Sequence, residues 1–449
     1  MSTPPVLHVG ILGATTATES IYTSILSSLP NHYTLTIIHT TSNTLEQNTQ
    51  KHADHIPQTT TNPDEVINHP AVTLIINLLP FDHHEQYTLA ALESGKHVMV
   101  EVPLSLSIHG LRRVRDARKK GAARSSPDNT VANANNATTG PKVFVGCARR
   151  YAPCFTEIFK KELSSLGRVY YARCRNITGP STTPVPPNTP GTGYINGNAA
   201  LPSSLAPSTS STARPARIHA LLADIFGSNE DLTRDREAFC LFLGTLGGHD
   251  LSLIRESLGF PDAVSNISII EPFYSAMFHY TDDSRGVPEP FTLVYEAGVD
   301  GVPRWDAHLT VYGERKSVSV LYDFSGVGVG GEGVAVRVVV EEAVYDSGDG
   351  KVGNGHVNGY GNGNGNGNGV VNGHAQTRPR LKRTEYVSTA RETYEQEFLA
   401  MHAYLVGDAG DSNVEAKTTA EDALDDLKLM RMIFDHYDRQ CGTIRTPLG

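Results

Sequence analysis

Residues 6–28 read VLHVGILGATTATESIYTSILSS. The first part, Val6–Leu12, is a mainly apolar run that ends at Gly13. Apolar side chains then recur at helical spacing through residues 17–28, at Ile21, Tyr22, Ile25 and Leu26. A short apolar run closed by glycine is typical of a strand buried in a parallel sheet. The stretch therefore predicts a strand, a tight turn and the helix that follows it.

The same alternation of strand and helix extends over the first third of the chain. Further strand patterns lie at 33–39, 72–79, 96–100 and 141–147, and helical patterns lie at 43–54, 84–94 and 108–120. Strands separated by helices of this length indicate βαβ units. We therefore predict an α/β domain over residues 1–145, built on a parallel, doubly wound sheet.

After about residue 150 the pattern becomes typical of an α+β domain. A helix at 153–163 leads to a strand at 169–175, and a long helical stretch follows at about 231–257. Six strand patterns with short turns come next, at 264–270, 274–280, 291–297, 307–312, 318–322 and 335–340, before two amphipathic helices at 389–405 and 419–439. Residues 146–449 are therefore predicted to form a second domain with a large, mostly antiparallel open sheet.

Three low-complexity segments interrupt these patterns, at about 121–140, 178–217 and 347–377. The third contains a repeat of glycine and asparagine over residues 361–369. Such segments bury too little apolar surface to offset an ordering cost of about 1–2 kcal/mol per residue. We interpret them as solvated loops, which account for much of the 41 glycines and of the low hydrophobic fraction of 39%.

The composition excludes several classes of protein. A formal net charge of −10 gives no overall basic surface for nucleic acid or for an anionic membrane. No window approaches the roughly 18 apolar residues of a transmembrane helix, and the first residues lack the basic region of a signal peptide. The 5 cysteines form no CxxC pair, and Asp82, His83 and His84 have no further ligand at metal-binding spacing, so no metal site is expected. These observations favour a cytoplasmic protein.

The turn after the first strand is a candidate phosphate-binding loop, Gly10-Ile11-Leu12-Gly13-Ala14-Thr15-Thr16-Ala17-Thr18. A dinucleotide fingerprint has glycine at the positions of residues 13, 15 and 18, and only Gly13 is glycine here. An ordinary strand–helix turn therefore stays open as an alternative. The free N–H groups at the helix N-terminus can still bind a pyrophosphate, so the candidate cofactor contacts are Gly13, Ala14, Thr15, Thr16 and Ala17.

The end of the second strand bears on which dinucleotide would bind. It reads Ile38-His39-Thr40-Thr41-Ser42, with no acidic residue to hold a ribose 2′-hydroxyl. The absence of a carboxylate removes a repulsion against a 2′-phosphate, which slightly favours NADP over NAD, although no arginine stands there. Thr40 is the candidate contact at this position.

Five further segments carry motifs in a fixed order: IINLLPFDHH at 75–84, AALESGKHVMVEVPLS at 90–105, GCARRYAP at 146–153, GGHDLSLIR at 247–255 and EDAL at 421–424. They resemble, in the same order, the ATPPxxH, ALxAGKHVxxEKPLA, GxNRRFDP, GxHDxDLLR and xEDAL motifs of the Gfo/Idh/MocA oxidoreductases, which include glucose–fructose oxidoreductase and inositol dehydrogenase. The resemblance covers about 6–440, with the three low-complexity segments as insertions.

The resemblance implies an N-terminal Rossmann domain, a C-terminal domain with an open sheet, and a nicotinamide between them. It also implies that the lysine of EKP and an Asp-x-x-x-His pair handle the substrate hydroxyl. This chain has Val102 at the lysine position and Thr245 at the aspartate position, whereas His249 matches. Arg150 or Lys96 turning inward would be one compensation, and an altered substrate would be another.

The candidate site follows from these matches. His249 is the predicted acid/base, because the ordinary pKa of histidine, about 6.5, suits proton transfer near neutrality. A structural histidine is the alternative, as an interdomain salt bridge is for the arginines at 149 and 150. The predicted substrate contacts are Arg150, Thr245 and Tyr151. The predicted cofactor contacts, beside the glycine loop and Thr40, are Leu79, Pro80, His84 and Glu101, and His84 has anchoring of its turn as an alternative role.

Together these features predict an NAD(P)-dependent oxidoreductase that interconverts a secondary alcohol and a carbonyl on a sugar-, polyol- or natural-product-like molecule. Two alternatives stay open. One is a dinucleotide-binding sensor of the same fold without turnover, and the other is a redox-neutral enzyme with a tightly held cofactor. A homo-oligomer is an expectation by analogy of fold alone.

Overall fold

The first part of the computed structural model is a parallel sheet of six strands: β1 (Leu7–Ala14), β2 (Tyr33–Thr40), β3 (Gln58–Thr60), β4 (Leu74–Asn77), β5 (His97–Glu101) and β6 (Val143–Gly146). Their spatial order is β3-β2-β1-β4-β5-β6, and every adjacent pair is parallel. The connecting helices are α1 (Thr16–Ser28), α2 (Pro63–Asn68), α3 (Phe81–Glu93) and α4 (Ile108–Ser125). This arrangement confirms the predicted doubly wound α/β domain.

The structure describes residues 5–14, 16–40, 57–125, 140–179, 213–226, 233–283, 286–302, 304–323, 333–345, 379–407 and 417–444. The predicted helix at 43–54 and the predicted insert at 347–377 lie outside these residues, as do most of the other two inserts. Within them, no helix combines the length and the apolar character that crossing a lipid bilayer requires.

A second sheet of eight strands follows: β7 (Tyr171–Thr178), β8 (Ala263–Ile270), β9 (Phe273–Asp282), β10 (Glu289–Val299), β11 (Trp305–Tyr312), β12 (Lys316–Tyr322), β13 (Val334–Val344) and β14 (Arg380–Thr389). The order is β14-β13-β12-β11-β7-β10-β9-β8. Only the β7–β10 pair is parallel among these pairings. The predicted mostly antiparallel sheet is therefore confirmed.

Among the described residues, six helices accompany this second sheet. They are α5 (Lys160–Ser164), α6 (Ala213–Phe226), α7 (Arg234–Phe242), α8 (Gly248–Leu258), α9 (Ala390–Val406) and α10 (Ala420–Ile444). A 3₁₀ segment, Ala148–Tyr151, follows β6 directly, and π-helical turns occupy Cys154–Phe159 and Leu243–Gly247. The long helical stretch predicted at about 231–257 is thus α7 and α8 joined by a π-helical turn, a geometry that often marks a functional site.

Four described elements were not predicted from the sequence: the short β3 and α2 of the first sheet, and α6 and β14 of the second part. Helix α6 begins inside the segment interpreted as the insert 178–217, although its apolar residues have helical spacing, at Ile218, Leu221, Leu222 and Ile225. Strand β14 is rich in charged side chains and mostly exposed, since it lies at the sheet edge and pairs with β13 alone. Charged edge strands protect a sheet against pairing with other chains, and they give a weak strand signal.

Helix α9 of the second domain packs on the first domain. The Tyr22 ring of α1 lies 5.8 Å from the rings of both Tyr394 and Phe398 of α9. The Tyr33 hydroxyl of β2 donates to the Phe398 carbonyl at 2.6 Å. Because these aromatic contacts join the two sheets through one continuous core, the position of one domain constrains the other.

A buried arginine holds the 3₁₀ segment against two helices. Arg150, 2% exposed, donates from Nε to Glu256 at 2.9 Å and from Nη1 to Ser252 at 2.9 Å. The same guanidinium pairs with Asp422 of α10 and donates to the Lys417 carbonyl at 2.9 Å. The acidic side chains of Glu256 in α8 and of Asp422 in α10 therefore share one buried cation, the Arg150 guanidinium.

We expect Arg150→Met to lower the free energy of unfolding by about 3 kcal/mol, because Glu256 and Asp422 lose a partner in a nearly closed environment. Urea unfolding followed by circular dichroism measures this loss. Arg168→Met is the matched control, since Arg168 is 43% exposed and 4.0 Å from Glu289, and it should cost under about 1 kcal/mol. Equal losses in the two variants would contradict the structural role of Arg150.

Candidate functional site

The turn between β1 and α1 requires glycine at residue 13. Gly13 has φ +80°, and a Cβ there would lie 2.8 Å from the backbone nitrogen of Leu79. The turn after β1 therefore touches the turn after β4 with no room for a side chain. Both turns lie at the carboxyl edge of the parallel sheet, where open α/β sheets bind their ligands.

A histidine at the end of β2 supports the same turn. The Gly13 N–H donates to Nδ1 of His39 at 3.1 Å. Burial lowers the pKa of His39, which keeps the ring neutral and its Nδ1 lone pair available. The strand ends at the buried Thr40 with no carboxylate, as expected from the sequence.

The glycine loop itself is described only in part. Ala14 is buried, 1% exposed, at the end of β1. Thr15 lies outside the described residues, and for Thr16 and Ala17 only the helical backbone of α1 is described. Their predicted contacts with a cofactor stay predictions.

His84 joins the turns that follow β4 and β5. Its Nε2 lies 2.7 Å from the Leu79 carbonyl and its Nδ1 lies 2.8 Å from the Pro103 carbonyl. Asn77, which sequence reasoning missed, accepts from the Leu79 N–H at 3.2 Å and donates to the His84 carbonyl at 3.2 Å. These bonds correspond to the anchoring role considered for His84, and they fix the backbone of the predicted contact pair Leu79–Pro80.

His249 lies in the first turn of α8, close to both domains. It is 4% exposed, and its Nδ1 is 3.9 Å from the Cys147 sulfur. Burial, followed by the charges of Arg149 and His84, lowers the pKa of His249 well below its ordinary value. The imidazole is therefore neutral near pH 7 and has a free lone pair, but it is a weaker base than the histidine of ordinary pKa expected from the sequence.

The two positions that depart from the family motifs add no charge beside His249. A Cγ atom of Val102 lies 3.0 Å from where a Cβ on Gly248 would be, so Val102 packs directly on α8. Thr245 donates its hydroxyl back to its own helix, with the Leu241 carbonyl at 3.0 Å and the Phe242 carbonyl at 3.1 Å. Lys96 donates to two carbonyls at the opposite end of β5, those of His69 and Val72, and does not turn inward.

Asp250, the residue after His249, anchors helix α8 to the 3₁₀ segment and to the second sheet. It is fully buried and pairs with Arg149 at 2.9 Å. Three strands supply further donors to its carboxylate, namely the Asn176 amide at 2.8 Å and the hydroxyls of Tyr295 at 3.0 Å and Tyr322 at 3.1 Å. Burial raises the pKa of Asp250, and these donors oppose the rise. The adjacent HD pair in the sequence was the available signal for this cluster.

Two predicted substrate contacts are occupied by other partners. The Arg150 guanidinium bonds Glu256, Ser252, Asp422 and the Lys417 carbonyl, which matches the salt-bridge alternative. The Tyr151 hydroxyl lies 2.8 Å from the Thr418 hydroxyl. Both polar groups thus have partners within the protein, and their predicted contacts with a substrate stay predictions.

Two buried acids lie near the backbone that follows β6, Glu101 at the end of β5 and Glu397 of α9, and sequence reasoning missed Glu397. One oxygen of Glu101 accepts a short hydrogen bond from the Tyr22 hydroxyl. Burial raises the pKa of Glu101 to about 7, although Tyr22 opposes the rise. Glu397 of α9 is also fully enclosed, and it accepts from the Cys147 N–H at 2.7 Å. No sequence motif links the two residues, which are far apart in the chain.

Helix α6 bridges the two domains next to this site. At its start, Arg214 and Arg217 pair with Asp82 of α3 at 3.3 Å and 3.1 Å. At its end, the Phe226 ring packs 5.1 Å from Phe434 of α10. Asp82 lies in the first turn of α3, directly after Leu79 and Pro80, so these ion pairs attach the start of α6 to the edge of the candidate site.

The described residues contain no group of three or more histidine, cysteine, aspartate or glutamate side chains placed to hold a metal ion. The donors near His249 are instead a thiol, backbone groups and an arginine. The carboxyl edge of the parallel sheet is compatible with a dinucleotide. Helix α1 begins there after a turn that accepts only glycine, and no acidic residue stands at the end of β2.

Comparison with known proteins finds a family model that is similar to residues 7–127. Residues 7–127 match the model of an oxidoreductase family with an NAD-binding Rossmann fold, GFO_IDH_MocA. Inositol 2-dehydrogenase of Klebsiella pneumoniae is 43% identical over 60 residues, which are 13% of this chain. The match spans only 18% of the length of that relative.

Solved structures show the same fold over both domains. An oxidoreductase from Thermotoga maritima has a TM-score of 0.55 at 13% identity, over 96% of this chain and 97% of that chain. A biliverdin reductase from Synechocystis, solved with biliverdin and NADP+, has a TM-score of 0.51 at 17% identity, over 96% of this chain and 98% of that chain. At these identities the likeness is one of fold.

We expect Gly13→Ala to abolish binding of nicotinamide dinucleotides, because the added Cβ would push apart the turns that meet at Leu79. Gly259→Ala is the matched control. Gly259 has the same φ of +80° but no atom within 4 Å of an added Cβ, so it bears only the strain of about 1–2 kcal/mol. Fluorescence titration with NADH and NADPH, beside thermal unfolding, measures both effects. Unchanged binding by Gly13→Ala would contradict the assignment of this turn.

Proposed function

We propose that this protein is an NAD(P)-dependent oxidoreductase, because residues 7–127 match the model of an oxidoreductase family with an NAD-binding Rossmann fold. Its proposed reaction interconverts a secondary alcohol and a carbonyl on a sugar-, polyol- or natural-product-like small molecule. The observation that carries the proposal is the place of His249, which is neutral, buried and next to the carboxyl edge of the parallel sheet.

The cofactor would lie along that edge. The Gly13 turn and the N-terminus of α1 would hold the pyrophosphate, and the anchored Leu79–Pro80 turn would support the nicotinamide half. When bound, the nicotinamide supplies the hydride acceptor or donor. The contribution of the chain is to fix these turns through Gly13, Asn77 and His84, so that the reacting carbon meets His249 in a defined geometry.

His249 would exchange the proton of the substrate hydroxyl. In the oxidation direction its neutral ring accepts the proton while hydride leaves the same carbon, and in the reduction direction it returns it. Nδ1 faces the Cys147 sulfur, which assigns Nε2 to the substrate. The nearby charge of Arg149 disfavours a lasting imidazolium, so the proton must pass on quickly.

We further propose a preference for NADP over NAD. Support comes from the end of β2, where His39 and Thr40 stand in place of a carboxylate and His39 bonds the Gly13 turn. An acidic residue here would repel a 2′-phosphate. Neutral side chains leave room for the phosphate without that penalty.

Thr40→Asp tests this preference. A carboxylate at the end of β2 should weaken NADPH binding by about tenfold, equivalent to about 1.4 kcal/mol, and should change NADH binding much less. Thr59→Asp on the exposed strand β3 serves as the control for added charge. Calorimetric titration with both nucleotides gives the ratio. If the two affinities fall equally in Thr40→Asp, the 2′-phosphate does not lie near Thr40.

We expect His249→Ala to lower kcat by about 10²–10⁴, the usual contribution of an acid/base group, with NAD(P)H binding retained. His402→Ala is the matched control, because His402 is also 4% exposed but contacts Pro5 and Tyr33 away from the site. Turnover is followed at the nicotinamide absorbance band across sugars and polyols. Full turnover by His249→Ala would refute the proposed role.

A dinucleotide-binding sensor is the second candidate. It is favoured by the hydroxyl of Thr245, which is bonded within its own helix, and by Val102, which places an apolar side chain beside His249. Neither side chain offers a charge to a reacting substrate hydroxyl. Binding of NAD(P)H by the intact chain without turnover of any substrate would support this second candidate over the first.

A further inference from the structure

The second sheet presents an unfilled hydrogen-bond acceptor directly beside Asp250. Asn176 of β7 is fully buried, and its amide nitrogen donates to both oxygens of the Asp250 carboxylate, at 2.8 Å and 2.9 Å. Since a carboxylate accepts hydrogen bonds and does not donate them, the amide nitrogen must face Asp250 and the amide oxygen must point away from it. Among the described residues, that oxygen, Oδ1 of Asn176, has no donor.

An unfilled hydrogen-bond donor lies on the neighbouring strand. Trp305 begins β11, and its indole Nε1 is enclosed without an acceptor in the part of the chain that the structure describes. In the antiparallel pair of β7 and β11, Trp305 is opposite Thr178 and Ala307 is opposite Asn176. Trp305 and Asn176 therefore share one face of the sheet and are diagonal neighbours, a separation that aromatic side chains span.

This face of the sheet is the one that packs against the helix of His249. Trp305 packs on the buried core that contains Leu309 of its own strand and Leu251 of α8. Asn176 bonds α8 directly through Asp250, and His249 is the residue before Asp250. The unfilled donor and the unfilled acceptor therefore lie on the side of the second sheet that faces the candidate site.

One kind of chemical group satisfies both positions. A buried donor and a buried acceptor without partners are each unfavourable, so their presence in a folded chain calls for an occupant. A hydroxyl group fits, because its oxygen accepts from the Trp305 N–H while its own O–H donates to Oδ1 of Asn176. The Trp305 side chain is only partly buried, so the indole also offers an apolar surface to the carbon atoms that carry the hydroxyl.

We propose that Trp305 and Asn176 form a substrate subsite that binds a hydroxyl group other than the reacting one, and that this pair selects polyhydroxylated substrates. Because Asp250 holds both Asn176 and the helix of His249, the subsite and the proposed acid/base share one anchor. The place of the substrate beside His249 rests on the proposed function, whereas binding at the subsite needs no turnover.

The fluorescence of the intact protein tests the subsite directly. The chain has 1 tryptophan, so its tryptophan emission reports on Trp305 alone. The protein with NADP+ is titrated with D-glucose, with myo-inositol and with the monodeoxy analogues of both. We expect at least one parent compound to change the emission, and the analogue that lacks the hydroxyl bound by Trp305 to lose this effect. No response to either parent compound would overturn the subsite.

Trp305→Phe keeps an aromatic ring and removes only the N–H donor. We expect it to raise the calorimetric Kd of the responding parent compound by about tenfold, and to leave unchanged the Kd of the analogue without the bound hydroxyl. Tyr280→Phe is the matched control. Tyr280 is 4% exposed, and its hydroxyl also has no partner among the described residues, but its ring stacks on Phe291 near the start of β7, whereas Asn176 lies near the end of that strand.

Thermal unfolding of both variants separates a loss of binding from a loss of folding, and the deoxy series on the wild type needs no variant at all. Equal affinities of the wild type and Trp305→Phe for the parent compound would overturn the subsite, and would fit a buried water molecule between the two groups instead. Binding of the parent compound that depends on Trp305 but leads to no turnover would support the subsite and count against the proposed function alone.

Discussion

The carboxylate of Asp250 is the contact on which the candidate site depends. It lies at the meeting point of α8, the 3₁₀ segment and the second sheet, and it receives donors from Arg149, Asn176, Tyr295 and Tyr322. A buried charge is stable only when its lone pairs are filled. Because all four donors come from other elements, the network allows one orientation of α8, and His249 follows from that orientation.

The interface between the two domains contains more charged side chains than a protein core usually does. Arg150 joins α8 to α10, Arg214 and Arg217 join α6 to α3, and Glu397 of α9 accepts the Cys147 N–H directly after β6. Buried ionic contacts add little net stability over apolar packing, but they penalise every arrangement that leaves one partner alone. They therefore fix the relative position of the two domains, which a site between two domains requires.

The domain interface near His249 offers few groups that can take part in a reaction. Near His249 the chain offers a neutral imidazole, a thiol and an arginine already paired with Asp250, whereas Val102 and Thr245 offer no charge. Such a site can exchange one proton with a substrate hydroxyl, but it gives little electrostatic support to a developing alkoxide. In the proposed function, a bound nicotinamide would supply the hydride chemistry.

Local pattern in the sequence determined the parallel first sheet, the mostly antiparallel second sheet and the turn at Gly13, because apolar periodicity and turn chemistry act over a few residues. The candidates His84 and His249 came from the resemblance of their segments to family motifs. Local pattern could not reveal Glu397, which meets Cys147 across 250 positions. Nor could it decide whether Arg150 binds substrate or Glu256, since a guanidinium takes whichever partner the packing brings. Long-range contacts between buried polar groups arise only when the domains assemble, and the tertiary structure alone decided them.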